Sequence, residues 1–492
     1  MLLYAHHLTE QERRTTEAYL IKKWLGKASP AARASISLNT VAFAEGATTK
    51  IASDRPVTVG KLSMPSGAVL EQSGSGSLTV ESFTGSDVDG YVADGGVLNV
   101  PGPFDDAVYH FDASAFDTIV PASIVDNGDG TSTTNVAQWL DVRKNGIVAR
   151  AAVGSLVSRG GDPLSRAYPK LVTIETRNGK RMPVMDLGDA TVSVVSDNAA
   201  GFEILKNGAA LDSADFAGEL HLIYRDRGSS YGSQFIFTDW NNVEFHRASD
   251  GGMFSGYHGD PYIGNVMNGY IAVDSTARPY SYALSDGAFH LITVAPTAPV
   301  PARTIAIDRA GCRAGGSYQG ELVAFRSNLS AARRQYVQNY LAWKWFGEGV
   351  EPAIAVSSLS LANGGKVSFG GSPVVSVSTI ELDGAGTISA GSVTGVSSLS
   401  FDFRSATDYD SLAVDGDFVF ANSGTITVNV GSEVKGAGDY PIVSANALRG
   451  GNPLDWTCTI VNNTTRYNAQ LVVVGNTLCL RLTKLGTIMM VL

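Results

Sequence analysis

Short runs of alternating apolar and polar residues dominate residues 35–100 and 354–492. The clearest runs are Val57-Thr58-Val59, Ser77-Leu78-Thr79-Val80-Glu81, Thr379-Ile380-Glu381-Leu382, Leu412-Ala413-Val414 and Thr425-Ile426-Thr427-Val428-Asn429-Val430. Gly, Asn and Asp separate the runs, and a period of two between turn residues indicates strands with one buried face. The runs recur every ten or so residues, roughly the spacing of short strands. This predicts small β-rich regions, built either as stacked solenoid rungs or as sandwiches.

Longer apolar runs occupy the central region, residues 103–349. They are Val108-Tyr109-His110-Phe111, Lys170-Leu171-Val172-Thr173-Ile174, Glu219-Leu220-His221-Leu222-Ile223-Tyr224, Gln234-Phe235-Ile236-Phe237, His290-Leu291-Ile292-Thr293-Val294 and Thr304-Ile305-Ala306-Ile307. A Rossmann or TIM fold needs helices between its strands, and this pattern has none there. We therefore expect an all-β unit, specifically a two-sheet jelly roll with one helix at its end.

One helical segment occurs twice, at residues 8–26 and 329–347, and Leu, Arg, Tyr, Leu, Lys, Trp and Gly recur in one register. Such a long period is typical of a duplicated module. In the downstream copy Ser330 is a suitable N-cap and Gly347 a suitable C-terminal residue. One face carries apolar and long side chains at helical spacing: Val337, Tyr340, Leu341, Lys344 and Trp345. The upstream copy has little sequence before it, so we expect it to be the end of a truncated module.

Composition narrows the possible partners. Charged residues make up 17% of the chain, and 44% is hydrophobic, enough to bury a core. The net charge is −10 with no basic stripe, which argues against nucleic acid as a partner. No apolar run is long enough for a transmembrane segment, and the first residues do not form a signal peptide. Cys458 and Cys479 either face each other on neighbouring strands or are small buried apolar residues, and Cys312 is left over.

Several motifs follow one another in the central unit. They are Tyr109-His110-Phe111-Asp112-Ala113-Ser114, Trp139-Leu140-Asp141-Val142-Arg143, Asn145-Gly146, Pro183-Val184-Met185-Asp186-Leu187-Gly188, His221-Leu222-Ile223-Tyr224-Arg225-Asp226 and Phe245-His246-Arg247. The most specific motif is the final strand, Gly320–Arg326, with the helix that follows Leu329-Ser330. In these motifs the unit resembles LamG/concanavalin A-like jelly-roll domains of large surface proteins of Gram-negative bacteria. The resemblance covers about half of the chain.

The C-terminal region has shorter motifs, Asp410-x-Leu412-x-Val414-x-Gly416, Gly438-Asp439-Tyr440-Pro441-Ile442-Val443 and Leu478-Cys479-Leu480-Arg481-Leu482. In these it is similar to autotransporter-associated β-strand tails. The expected domains are a terminal helix at 1–27, a β-rich linker domain at 28–102, the jelly roll at 103–349 and a β-rich C-terminal domain at 350–492. Both resemblances imply a secreted or cell-surface location.

The sequence lacks the motifs of two common classes of enzyme. Glycoside hydrolases with related folds carry paired carboxylates as Glu-x-Asp-x-x-Glu on one strand, and that spacing does not occur here. A phosphate-binding loop is not present either. We therefore expect a protein that is not an enzyme and has no cofactor. A glycan-degrading enzyme that uses an unrecognised pair of acids is the less favoured hypothesis.

Two groups of residues are candidates for binding. Asp126 and Asp129, in Asp126-Asn127-Gly128-Asp129-Gly130, put oxygen ligands close together as calcium requires, although Asp-Gly also favours a plain hairpin turn. Laminin-type jelly rolls often hold calcium, so the resemblance adds to this possibility. Aromatic and planar polar side chains suited to a sugar are concentrated in residues 239–262: Trp240, Asn242, His246, Arg247, Tyr257, Asp260 and Tyr262.

These observations predict a binding or adhesion module that recognises an extracellular glycan or a protein partner. A structural spacer that binds nothing is the alternative.

Overall fold

The computed structural model divides the chain into two compact units, Met1–Asp105 with Ala353–Leu492, and Asp106–Pro352. It describes residues 35–43, 49–64, 67–81, 83–85, 89–129, 132–153, 167–189, 200–227, 235–239, 242–246, 253, 262–284, 287–307, 315–431, 437–462 and 467–484. The upstream copy of the repeated helix, the predicted terminal-helix domain at 1–27 and Cys312 lie outside these residues.

The first unit begins with short strands. They are β1 (Ile36–Ala42), β2 (Thr49–Ala52), β3 (Val57–Met64), β4 (Val69–Ser73), β5 (Ser77–Val80), β6 (Phe83–Gly85), β7 (Gly90–Asp94) and β8 (Val97–Val100).

In its described part, the second unit follows with longer strands and two α-helices. Its strands are β9 (Ala107–Asp112), β10 (Ile119–Asp126), β11 (Ser132–Leu140), β12 (Ile147–Ala151), β13 (Lys170–Glu175), β14 (Arg181–Asp186), β15 (Phe202–Lys206), β16 (Ala209–Ala210), β17 (Glu219–Asp226), β18 (Phe235–Asp239), β19 (Asn242–His246), β20 (Tyr270–Val273), β21 (Thr276–Ala277), β22 (Phe289–Ala295), β23 (Thr304–Ile305) and β24 (Ser317–Phe325). Its helices are α1 (Ile263–Met267) and α2 (Ala331–Phe346).

The chain then returns to the first unit. The remaining strands are β25 (Ala353–Ala362), β26 (Lys366–Phe369), β27 (Val374–Asp383), β28 (Ala385–Thr394), β29 (Ser398–Phe403), β30 (Ser411–Phe420), β31 (Thr425–Val430), β32 (Gly438–Gly450), β33 (Thr457–Val461), β34 (Tyr467–Val474) and β35 (Thr477–Lys484).

The first unit is a stack of parallel rungs. From β1 to β33 the strands pair in parallel from rung to rung, as β1 does with β3 and β3 with β5. Because side chains alternate along a strand, each rung turns one set of residues inward. In β3 these are Val57, Val59, Leu62 and Met64, all buried. The alternation predicted from the sequence is therefore the alternation between the interior of the stack and solvent.

After the second unit, the chain returns to the same stack and continues it. Strand β7 pairs in parallel with β25, and β8 pairs with β26. One inward column runs from Leu78 to Leu98, then to Val367 and Ile388, with each residue opposite the next. All of these side chains are buried in one apolar core. Residues on both sides of the second unit, which the sequence analysis assigns to two flanking domains, thus contribute strands to one sheet.

The C-terminal end of the stack changes from parallel to antiparallel pairing. Strands β34 and β35 form an antiparallel hairpin, and β35 also pairs antiparallel with β32. Cys458 lies on β33 opposite Ile426, and Cys479 lies on β35 opposite Pro441 and Val472. Both thiols are free, and the Cys479 thiol is buried. Burial raises the pKa of each thiol, which fits the second of the two roles considered for these cysteines.

The second unit is antiparallel throughout its described part. Its strands follow one another in the order β19-β18-β23-β15-β12-β11-β13-β14-β24-β17-β22-β20-β21, with β10 beside β11, β16 beside β15 and β9 beside β24. Its core contains large buried side chains, among them Trp139, Phe111 and Phe202, whose rings contact one another. The all-β class predicted from the sequence is confirmed.

Helix α2 has the limits that the sequence predicts. The Ser330 hydroxyl accepts a hydrogen bond from the Arg333 amide, and Gly347 ends the helix with a positive φ of 65°. Val337, Leu341 and Trp345 are buried on its inner face. The short helix α1 is additional to the single terminal helix expected for this unit.

Candidate functional site

The residues predicted to bind a glycan are only partly described. Trp240, Arg247, Tyr257 and Asp260 lie outside the described residues. Strand β19 begins at Asn242 and ends at His246, and its backbone pairs antiparallel with β18. Only the backbone of these two residues is described, so their grouping into a ligand site stays a prediction.

Tyr262 is the one residue of this group whose side chain is described. It directly precedes α1, and its ring is partly buried. The ring meets that of Phe216 edge to face, with 6.0 Å between centroids. Tyr262 therefore has a packing role in the second unit, in addition to the ligand contact predicted for it.

Asp126 is the last residue of β10, and Asp129 lies in the connection between β10 and β11. These strands form an antiparallel hairpin in which Asp126 is opposite Ser132. The Asp126 carboxylate accepts a 2.8 Å hydrogen bond from the Gly128 amide, and Gly128 has a φ of 77°. Both carboxylates are exposed. In the part of the chain that the structure describes, no three His, Cys, Asp or Glu residues are grouped as metal ligands. Calcium binding at these residues stays a prediction.

A cluster of buried charges lies between the sheet of the second unit and α2. Glu321 of β24 is opposite Asp112 of β9, and both side chains are on the face covered by the helix. The Lys344 ammonium is 2.6 Å from the Glu321 carboxylate and 2.5 Å from that of Asp112. His110 Nε2 is 2.7 Å from Glu321 Oε1, and Trp345 Nε1 donates a 2.6 Å hydrogen bond to Oε2.

The charge of Glu321 is stabilised despite complete burial. Burial by itself raises the pKa of this carboxyl group, because it removes water from the charged form. The Lys344 ammonium and the hydrogen bond with His110 act in the opposite direction and are stronger together, so the pKa falls to about 2. The pKa of Lys344 is correspondingly raised, since burial is outweighed by Glu321 and Asp112. Glu321 and Lys344 are therefore a charged pair at neutral pH.

A second cluster holds the first turns of α2. The Arg334 guanidinium donates to both oxygens of the buried Glu219 carboxylate, at 2.8 and 2.7 Å. The Leu329 amide donates to the same carboxylate, and His221 Nε2 lies 3.0 Å from it. Burial raises the pKa of Glu219, but the hydrogen bonds with His221 and Arg334 have the larger effect, so the pKa is lowered overall. The other nitrogen of His221 contacts Thr293, which also accepts a hydrogen bond from Gln338.

A third cluster surrounds the C-terminal end of α2. The Arg177 guanidinium lies 2.6 Å from Asp274 and 4.3 Å from the ring centroid of Phe346. His290 Nδ1 is 2.8 Å from the same Asp274 carboxylate. Backbone carbonyls in the last turn of α2 accept hydrogen bonds from three side chains of the loop between β13 and β14, Thr176, Asn178 and Lys180. Two neutral donors and the Lys180 ammonium thus hold this end of the helix, where the helix dipole favours a positive charge.

The three clusters have one chemical effect in common, which is to fix α2 on the sheet. Each one pairs a buried or partly buried carboxylate with a histidine and a cation. Neither Glu219 nor Glu321 is among the site residues predicted from the sequence, although each is a charged residue within an apolar strand, in Glu219-Leu220-His221-Leu222 and Glu321-Leu322-Val323. A carboxylate at such a position needs a partner, and α2 carries the matching Arg334 and Lys344.

Comparison with protein-family models, with curated proteins and with solved structures finds no match for this chain. Within the described residues, no helix has the length and apolar character needed to cross a membrane.

Proposed function

We propose that this protein is a non-catalytic binding and display module, in which a solenoid-like stack of rungs carries the second unit as an insertion. The observation that supports this most directly is the pairing of β7 with β25 and of β8 with β26. The inward column from Leu98 to Val367 is continuous although the second unit lies between them in sequence. A scaffold that accepts a whole unit between two rungs is suited to presenting it.

The second unit is proposed to be a jelly roll of the LamG/concanavalin A-like kind. Its antiparallel pairing joins strands that are distant in sequence, with β9 and β17 on either side of β24. Its final strand and α2 carry the motifs on which the resemblance is strongest. From that resemblance, a location outside the cell or on a bacterial cell surface is part of the proposal.

The proposed ligand is an extracellular glycan or a protein. Loops on a rigid β framework are common recognition sites. In the sequence, Trp240 lies between β18 and β19, His246 is the last residue of β19, and Tyr262 directly precedes α1. Trp240 is the residue whose aromatic face is best suited to a sugar ring.

A glycan array probed with the complete chain tests this proposal. We expect selective binding that falls at least tenfold in Trp240→Ala and is retained in Tyr280→Ala, which removes another exposed aromatic ring of the second unit. Selective binding that is unchanged in Trp240→Ala would place the site elsewhere on the chain. If the wild-type chain binds neither glycans nor extracellular proteins, the second candidate, a structural spacer, is the better description.

The spacer hypothesis has its own support in the stacked rungs, since repeat stacks are extended and stable without any ligand.

Calcium is proposed only as a ligand of Asp126 and Asp129. Titration calorimetry with calcium should give a signal that Asp126→Asn with Asp129→Asn abolishes. Its absence in the wild-type chain would identify the connection between β10 and β11 as a plain turn.

A further inference from the structure

Arg225 occupies an unusual position in the sheet of the second unit. It lies on β17 directly opposite Phe289 of β22 on one side and Tyr318 of β24 on the other. Its guanidinium carbon is 5.6 Å from the ring centroid of Phe289 and 5.5 Å from that of Tyr318. The two aromatic rings thus hold the guanidinium group from two neighbouring strands, through cation–π contacts.

Arg225 shares its face of β17 with Glu219, His221 and Ile223, because alternate residues of a strand point the same way. Those three side chains are completely buried. Arg225, at the far end of this row, is partly exposed. The row therefore passes from a fully covered region to a region that solvent or a ligand can reach.

The charge of Arg225 has no counterion in the part of the chain that the structure describes. Its Nε atom is buried without a hydrogen-bond partner. Other arginines in this unit pair with carboxylates, as Arg334 does with Glu219 and Arg177 with Asp274. A buried guanidinium nitrogen left without a partner is uncommon in folded proteins and is a reason to look for a missing acceptor.

The neighbouring Arg227 is also a cation, so it cannot be the counterion of Arg225. Its guanidinium lies 5.0 Å from the Tyr318 ring centroid and is paired with Asp186 and, at 3.4 Å, with Asp189. Asp186 and Asp189 both contact Arg227, and neither forms an ion pair with Arg225 in the described part of the chain. The guanidinium group of Arg225 therefore has no carboxylate in direct contact with it there.

We propose that Arg225 is a recognition residue for a carboxylate-bearing sugar, such as a uronic acid. A carboxylate is planar and accepts two parallel hydrogen bonds from a guanidinium group, and Arg225 is partly exposed. Tyr318 is partly exposed next to it and gives an aromatic surface for the apolar face of a sugar ring. Aromatic residues beside a planar charged group suit an acidic glycan better than a simple inorganic anion.

This inference rests on the proposed binding function and specifies its ligand class at a place other than the segment containing Trp240. The test uses the complete chain and an oligogalacturonide as the acidic probe, with its methyl ester as the neutral one. Titration calorimetry should show binding of the acid and at least tenfold weaker binding of the ester. Arg225→Gln should weaken binding of the acid at least tenfold, and Arg225→Lys should restore little of it because lysine lacks the two-pronged geometry.

Arg278→Gln is the matched control, because Arg278 is exposed and lies 4.6 Å from the ring centroid of Tyr282 in the same unit. It should bind the acid like the wild-type chain. Thermal unfolding of each variant establishes that it is folded, and Arg225→Met, which keeps the apolar stem, replaces Arg225→Gln if that variant unfolds.

Equal binding of acid and ester, no binding of the acid, or binding that Arg225→Gln leaves unchanged would overturn the inference. Binding of an acidic peptide without binding of the oligogalacturonide would overturn the choice of a sugar. If neutral glycans bind and depend on Trp240 while the oligogalacturonide does not bind, the proposed function stands and this inference fails. If no glycan or protein binds, both fail.

Discussion

Trp345 Nε1 donates a 2.6 Å hydrogen bond to the carboxylate of Glu321, and both side chains are completely buried. The residue before Glu321 makes this contact possible. A Cβ atom on Gly320 would lie 2.6 and 2.7 Å from two atoms of the Trp345 ring and 3.0 Å from Ile223. Gly320 and Glu321 therefore act together, one providing space for the indole ring and the other an acceptor for its nitrogen.

Gly320→Ala should destabilise the second unit by about 1–3 kcal/mol, the usual range for overpacking a dense core. The added methyl group must displace an indole ring that is fixed by its hydrogen bond. Urea unfolding followed by tryptophan fluorescence measures the change. Gly264→Ala is the matched control, since a Cβ there meets nothing within 4 Å and the residue lies within α1. A loss of stability in Gly264→Ala as large as in Gly320→Ala would contradict the packing argument.

Lys344→Met should destabilise the second unit by about 3–5 kcal/mol, because it leaves the buried Glu321 carboxylate without its main counterion. Methionine keeps most of the apolar stem, so the loss reports chiefly on charge. Lys144→Met is the control, since Lys144 and its partner Asp117 are 60% and 70% exposed. An exposed pair of this kind contributes little to stability, because water screens its charges. Similar shifts of the urea midpoint in the two variants would show that the buried pair has no special weight.

Acid should weaken the second unit between about pH 4.5 and pH 2. The pKa of Glu321 is about 2 in the folded chain and about 4.5 when unfolded, so the unfolded state binds the proton first as pH falls. Its contribution is complete above the unfolded pKa and is lost as pH drops toward the folded one. The shift corresponds to about 3 kcal/mol. Glu219 and Asp274, whose pKa values are also lowered, change stability in the same direction.

Urea unfolding at a series of pH values measures this effect, with Glu321→Gln as the comparison. The variant cannot take up the proton at this position, so its stability should fall less steeply than that of the wild-type chain. Parallel curves for the two proteins across this range would mean that Glu321 is not the source of the acid sensitivity.

The local elements could be predicted from the sequence because their signals are local. Alternation in Val57-Thr58-Val59 identifies a strand of the stack, and Ser330 and Gly347 mark the two ends of α2. Each signal depends on neighbouring residues within one element, where the period of the apolar positions is set by backbone geometry.

The pairing of those elements could not be predicted in the same way. Helical spacing places Lys344 on one face with apolar residues, and it does not show that the Lys344 ammonium lies between Glu321 and Asp112. The Leu98–Val367 contact joins residues on opposite sides of a complete unit. Alternation gives the inward face of each strand and carries no information about which other strand lies beside it.

The register of the stack predicts that the second unit can be removed. Val100 is opposite Phe369, and Ala353 is opposite Val374. Between Phe369 and Val374 the chain turns from one rung to the next through the short segment 370–373. The equivalent connection after Val100 is the segment 101–104, which would lead directly to Ala353.

A chain lacking residues 105–352 should therefore fold as an uninterrupted stack with Phe104 joined to Ala353. Far-UV circular dichroism should show a β spectrum, and hydrogen exchange should show protection of Leu98 and Val367 as in the complete chain.

A second deletion, of residues 101–352, is the matched control. It leaves no residues for the turn between rungs and should be strongly destabilised, because β8 and β25 would have to follow one another without a connection. If both deletions fold equally well, the register does not describe how the stack accommodates the insertion. If neither folds, the stack depends on the second unit.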